Sequence, residues 1–293
     1  MKLDRRNFMG VSAAMLAAGS ARTAGVDADP IKDMIVINAL GGLGDPNQPA
    51  DSLVPQFSPR VLAEAHASGL TAVNITLGYV SGSDDPFEQS VREVAETDAQ
   101  VRANSRDLMK ILTAADIRRA KTEGKVGLIY GFQNGAMMGQ DASRVDIFAN
   151  LGVRIFQLTY NPANQLGDGS MAPGNRGLTP FGREVVARCN AQRVMVDLSH
   201  SGEQTCLEAA RISKQPISIN HTGCRAVTNL PRNKTDAELK LVADRGGFVG
   251  IEPGHLGGLG LDLIERREDV LLDLPLRGRV VRDLVLEGLV LFV

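Results

Sequence analysis

Tryptophan is absent from the 293-residue chain, and aromatic residues make up only 4% of it. That scarcity argues against a stacking platform for bases or sugars. A surplus of positive charge is missing as well. Against 34 acidic residues stand 32 Lys and Arg, and the net charge of −2 gives no electrostatic footprint for nucleic acid. No stretch approaches the roughly 20 apolar residues of a membrane span. Cysteine is confined to Cys189, Cys206 and Cys224, an odd number without CxxC spacing. They exclude a disulfide framework and read as small buried hydrophobes. No GxGxxG follows the first strand pattern. Gly41-Gly42-Leu43-Gly44 is a loose turn, and a lone glycine cluster is weak evidence for phosphate binding.

Histidine is also scarce, at four per chain, and two of the four fall at equivalent places. The stretch from Arg193 to Asn233 holds two short apolar runs, one ending at His200 and one at His221, separated by a helical pattern from Glu203 to Lys214. This spacing predicts a βαβ unit with parallel strands. Parallel α/β folds build their sites at the C-terminal strand ends. Two imidazoles aimed at one mouth suit a divalent metal. The competing reading is a pair of buried histidines satisfied by backbone partners. His66, in a helical pattern, and His255, in a Gly-rich turn, are expected to be structural or solvated.

Taken in order, residues 1–24 read as an export signal. Lys2, Arg5 and Arg6 form a basic start, a weak apolar run follows, and Arg5-Arg6-Asn7-Phe8 resembles a twin-arginine motif. The expected destination is the periplasm; the alternative is a disordered N-terminus with a chance Arg pair. Strand patterns then alternate with helix patterns. Strands are predicted at 34–38, 70–77, 125–132, 153–160, on the two histidine-ended runs, and at 247–252. Ser58, Thr113, Ser143 and Thr235 are candidate helix caps. A long polar helical region is expected from Pro86 to about Leu112. The Gly/Pro/Asn-rich loop 161–179 has the length of a functional loop.

Seven βα-type repeats predict an α/β fold, a TIM-like (β/α)8 barrel over 25–255, with an open doubly wound sheet as the alternative. Residues 256–293 form an atypical tail. It is not expected to rebuild an eighth strand, which would leave the barrel incomplete at its C-terminus.

Several segments carry a resemblance. They are Glu123–Ile129, Leu151–Arg154, Leu158-Thr159, Gly177–Arg183, Val196–His200, Arg232-Asn233 and Gly246–Ile251. Together they resemble the membrane (renal) dipeptidases, zinc metallopeptidases of the metal-dependent hydrolase superfamily, over about Met34 to Glu252. The resemblance implies a hydrolase in which two zinc ions activate water to cleave dipeptides. The family's second zinc ligands fall on His200 and His221. Its bridging Glu falls on Gln133, its carboxylate-binding arginine on Arg232, and a substrate-contacting histidine on Tyr160.

The chain also departs from the pattern. Leu40 and Gly42 stand where the family's first strand carries a His-x-Asp ligand pair, and neither side chain can coordinate a metal. Gln133 is a neutral bridge, and the late aspartate has no counterpart in the tail. One zinc at most is therefore expected, against two in the family, with activity weak or lost. The expected partner is a small peptide or dipeptide-like substrate, and a homodimer is allowed. The alternative is a non-catalytic periplasmic binding protein or pseudoenzyme that keeps the pocket.

Overall fold

A computed structural model describes residues 33–44, 57–252 and 289–292. The stretch 1–24 read as an export signal, His255 and nearly all of the atypical tail lie outside the described residues. Ile35–Val293 forms one compact unit, and a second unit, Met1–Met34, is almost wholly outside the description.

Strands and helices alternate as the periodicity predicts. β1 (Ile35–Gly41) is followed by α1 (Pro59–Ala67), β2 (Ala72–Thr76), α2 (Pro86–Ala103), β3 (Leu108–Lys110), α3 (Ala114–Glu123) and β4 (Val126–Phe132). Then come α4 (Arg144–Asn150), β5 (Val153–Gln157), α5 (Pro180–Gln192), β6 (Met195–Asp197), α6 (Glu203–Ile212), β7 (Ser218–Thr222), α7 (Asp236–Asp244), β8 (Phe248–Ile251) and β9 (Leu289–Phe292). Local chemistry sets the helix starts. Ser58, Thr113, Thr179 and Thr235 each accept a first-turn backbone N–H, and Thr113 and Thr235 complete capping boxes with Asp116 and Glu238. Each such cap contributes about 1 kcal/mol. Ser143 makes no such bond; its hydroxyl turns back to Asp141.

Among the described residues every strand pairing is parallel, in the order β8-β7-β6-β5-β4-β2-β1-β9, with β3 paired to β4 beside this path. The chain is a TIM-like barrel with its ring nearly closed. β8 and β9 approach within 8 Å between Cα atoms without forming a hydrogen-bonded ladder.

Two expectations are corrected. The tail does supply a last strand, because Leu289–Phe292 pairs in register with Ile35–Asn38. Its apolar sequence fits a strand beside β1, which the weak periodicity of the tail concealed. The incompleteness lies instead at the unpaired β8–β9 seam. The long helical region also ends early: α2 stops at Ala103, and Leu108–Lys110 pairs with Val126–Leu128. Asn104 caps that end through a side-chain bond to the Gln100 carbonyl, and three residues are too few to show a period.

Strand alternation assigns the two faces. Val73, Ile75, Leu128, Tyr130, Val196 and Ile219 belong to the large core under the helices. The intervening positions face the barrel axis. Low on that face Ala72, Ile129 and Ile155, with Ile37 and Met195, form a second apolar cluster with Met109, Ile111 and Ala120. Two residues further along the strands the inner face turns polar, at Asn74, Gln157 and Asp197, all buried. A Cβ at Gly131 would collide with the Asn74 amide, so this layer needs a glycine there. The apolar floor and the polar layer above it place any chemistry at the C-terminal strand ends.

Candidate active site

β6 ends at Asp197 and the chain turns at once. Asp197 Oδ1 accepts from the Ser199 backbone N–H (2.9 Å), the Ser199 hydroxyl and the Asn220 N–H of β7 (3.1 Å). Burial raises the Asp197 pKa, opposed by those hydrogen bonds and by the charge of Arg232. This carboxylate therefore stitches two strand ends together at the position where the chain turns toward His200.

His200 follows in the turn, and His221 lies within β7. Their Nε2 atoms are 3.0 Å apart and both residues are buried. His200 Nδ1 lies 2.7 Å from Asn161 Oδ1, an acceptor, so Nδ1 carries the proton in that contact and Nε2 presents its lone pair toward His221. Tyr160 stacks on the His200 ring at 4.2 Å between centroids, which fixes the ring plane. The loop after β5 thus supplies both an orienting acceptor and a stacking partner. Asn161 went unrecognised in the sequence because only the fold brings residues 161 and 200 together. Its place at the mouth of a long loop was the one available hint.

Arg232 is 8% exposed and bonds the main chain next to both histidines. Its Nη1 donates to the Ser199 carbonyl and its Nη2 to the His221 carbonyl at 2.9 Å. Its Nε is buried and has no hydrogen-bond partner among the described residues. Burial lowers its pKa to about 10, while the negative charges of Asp197 and Glu252 act the other way. The guanidinium is thus held by main-chain carbonyls and keeps donors in hand.

Gln133 sits just past β4, half-buried, and its backbone carbonyl accepts from the Gln157 side chain. Leu40 and Gly42 stand at the end of β1, where Leu40 N–H donates to Asn38 Oδ1 at 3.0 Å. A Cβ on Gly42 would meet nothing within 4 Å.

Among the described residues no three His, Cys, Asp or Glu side chains converge. Two nitrogens on a tetrahedral zinc, each bonded at 2.0–2.1 Å, lie roughly 3.3 Å apart. The imidazole pair, at 3.0 Å with one tautomer fixed from behind, fits two positions of one metal. Leu40 and Gly42 do not fit a second.

A family model described as membrane dipeptidase (peptidase family M19) matches residues 58–255. The chain belongs to the membrane dipeptidase family.

An amidohydrolase from Pseudomonas aeruginosa of known structure is 36% identical; the alignment covers 75% of this chain and 63% of that one, with a TM-score of 0.66. A metallopeptidase from Rhodobacter sphaeroides, solved with a phosphinate mimic of the dipeptide L-Ala-D-Ala, is 21% identical over 83% of each chain, with a TM-score of 0.68, and shares the fold. An uncharacterised protein from the pqqA 5′ region of Klebsiella pneumoniae is 27% identical over 58% of this chain and 65% of its own length. The chain thus spans about two thirds of that relative or slightly less. Membrane dipeptidases are metallopeptidases, and the fold expected from the sequence is the one observed. No described helix is long and apolar enough to cross a membrane.

Proposed function

We propose that this chain is a dipeptidase-family hydrolase with one usable metal position, acting on dipeptide-like substrates. The observation that carries the reading is the His200–His221 pair, with Nε2 atoms 3.0 Å apart. A bound zinc ion would supply Lewis acidity at the scissile carbonyl and lower the pKa of water. His200 and His221 would hold it, with the Gln133 side-chain oxygen as a neutral third donor. Asn161 keeps the His200 proton on Nδ1, so the ligating nitrogen needs no deprotonation. Arg232 supplies positive charge and its remaining N–H groups to a substrate carboxylate. Tyr160 restrains the His200 ring by stacking on it and would face the substrate beside it. The N-terminal Arg5-Arg6 segment would carry the folded chain to the periplasm.

A second reading, a binding protein without catalysis, is favoured by Leu40, Gly42 and Gln133. Elemental analysis of the purified chain, with an alanyl dipeptide hydrolysis assay, separates the two. One zinc per chain with slow turnover that disappears in His221→Ala supports the hydrolase. Dipeptide binding without zinc or turnover supports the binding protein. Two tightly held zinc ions per chain would overturn the one-metal reading.

A further inference from the structure

The segment that follows β7 carries a second buried cation. Lys234 is 2% exposed and stands two residues after Arg232. Its Nζ donates to the Ser201 carbonyl, as Arg232 Nη1 does to the Ser199 carbonyl. The two cations thus grip alternate carbonyls on either side of His200. The main chain of the segment is fixed in turn: Lys234 N–H donates to Gly223 O at 3.0 Å, and Arg225 N–H to Lys234 O at 2.8 Å. The Lys234 ammonium faces Glu238 Oε1 at 3.3 Å, while Glu238 Oε2 closes the capping box of α7. On the other side of the turn, Ser170 N–H donates to His200 O at 2.7 Å and Thr159 Oγ1 to Ser201 Oγ at 3.2 Å.

A buried ammonium is costly, and an apolar residue of the same volume often stabilises a fold as well or better. Its retention here needs a local use, and the only main-chain acceptor it reaches among the described residues is the one after His200. We infer that Lys234 is a positioning residue: with Arg232 it forms a cationic clasp that sets the turn 199–201 and holds His200 against His221. The clasp rests on the metal-site reading for its functional meaning, but its effect on the turn does not.

The test uses the full chain and the variants Lys234→Met and Lys234→Arg. Removing the ammonium should raise hydrogen exchange at the 199–202 amides at least 10-fold relative to the β4 amides. It should also weaken Zn²⁺ binding, measured calorimetrically, by 10–100-fold, the range seen for residues that orient metal ligands. Lys234→Arg should recover most of both. If Lys234→Met does not fold, Lys234→Met combined with Glu238→Gln removes both buried charges together and serves the same comparison. Unchanged exchange in the turn overturns the clasp, whatever zinc does. Faster exchange with unchanged zinc affinity overturns its link to His200. A wild-type chain that binds no Zn²⁺ defeats the metal-site reading, while exchange still decides the clasp.

Discussion

The two sides of the barrel mouth are built differently. Around the ends of β5, β6 and β7, buried polar groups are dense and mutually bonded: Asp197 links Ser199 to Asn220, Asn161 orients His200, and Arg232 holds two carbonyls. At the end of β1 stand Leu40 and Gly42, and past β4 stands the neutral Gln133. The β1 register to β2 also breaks between Asn38 and Gly41, and the Leu40 N–H is taken by its neighbour Asn38. A scaffold can thus keep one side of its mouth in order while the other side lacks polar donors. Preorganisation on one side does not depend on the side chains that stand on the other.

Restoring the poor side should have the largest effect. Leu40→His with Gly42→Asp and Gln133→Glu should take zinc from one per chain to two. It should also raise dipeptide turnover by about 10³-fold, roughly 4 kcal/mol of barrier. The open space around Gly42 makes room for the aspartate. Metal content and initial rates check this; a triple variant still holding one zinc would show that the β1 end lacks the geometry as well as the donors.

Disturbing the rich side comes next. Arg232→Ala leaves two carbonyls without their donors and should cost about 3 kcal/mol of unfolding free energy in urea. The matching change on the poor side, Leu40→Ala, removes a half-buried side chain and should cost about 1 kcal/mol. Equal losses would erase the contrast.

A smaller effect is expected from the loop that serves His200. Asp168 accepts from the Arg176 backbone N–H at 2.6 Å and from its guanidinium at 2.9 and 3.2 Å, and these bonds lower its pKa below the ordinary 3.8. Its stabilisation is therefore full above that value and is lost as pH falls through the lower, folded-state pKa. Arg176 is 76% exposed, so solvent screening limits the contribution to about 1 kcal/mol or less. Asp168→Asn should lower stability by that amount at pH 7 and flatten the acid limb of the stability curve. An unchanged acid limb would remove Asp168 from the loop's support.

The smallest effect is expected at the stacking partner. Tyr160→Phe keeps the ring over His200 and should change zinc affinity less than twofold, while Tyr160→Ala should weaken it several-fold. Calorimetric titration distinguishes them, and a large loss in the Phe variant would assign the role to the hydroxyl.

Much of this was legible in the chain itself. Apolar runs of strand length, caps such as Thr113 and Thr235, and two strand-end histidines in successive units point to a parallel α/β fold, favour the barrel, and pick out the end that carries the candidate site. These are local properties, set by side-chain periodicity and by backbone groups that need partners nearby. The absence of donors at Leu40 and Gly42 is equally local, since no folding can give those side chains a lone pair. Other features required the tertiary structure. Asn161 reaches His200 across 39 residues, and Lys234 reaches Ser201 across 33. The strand at Leu289–Phe292 finds its place only against β1. Each of these depends on which strand ends the closing barrel brings together. Buried donors and acceptors then choose partners by distance in space, a quantity that spacing along the chain does not contain.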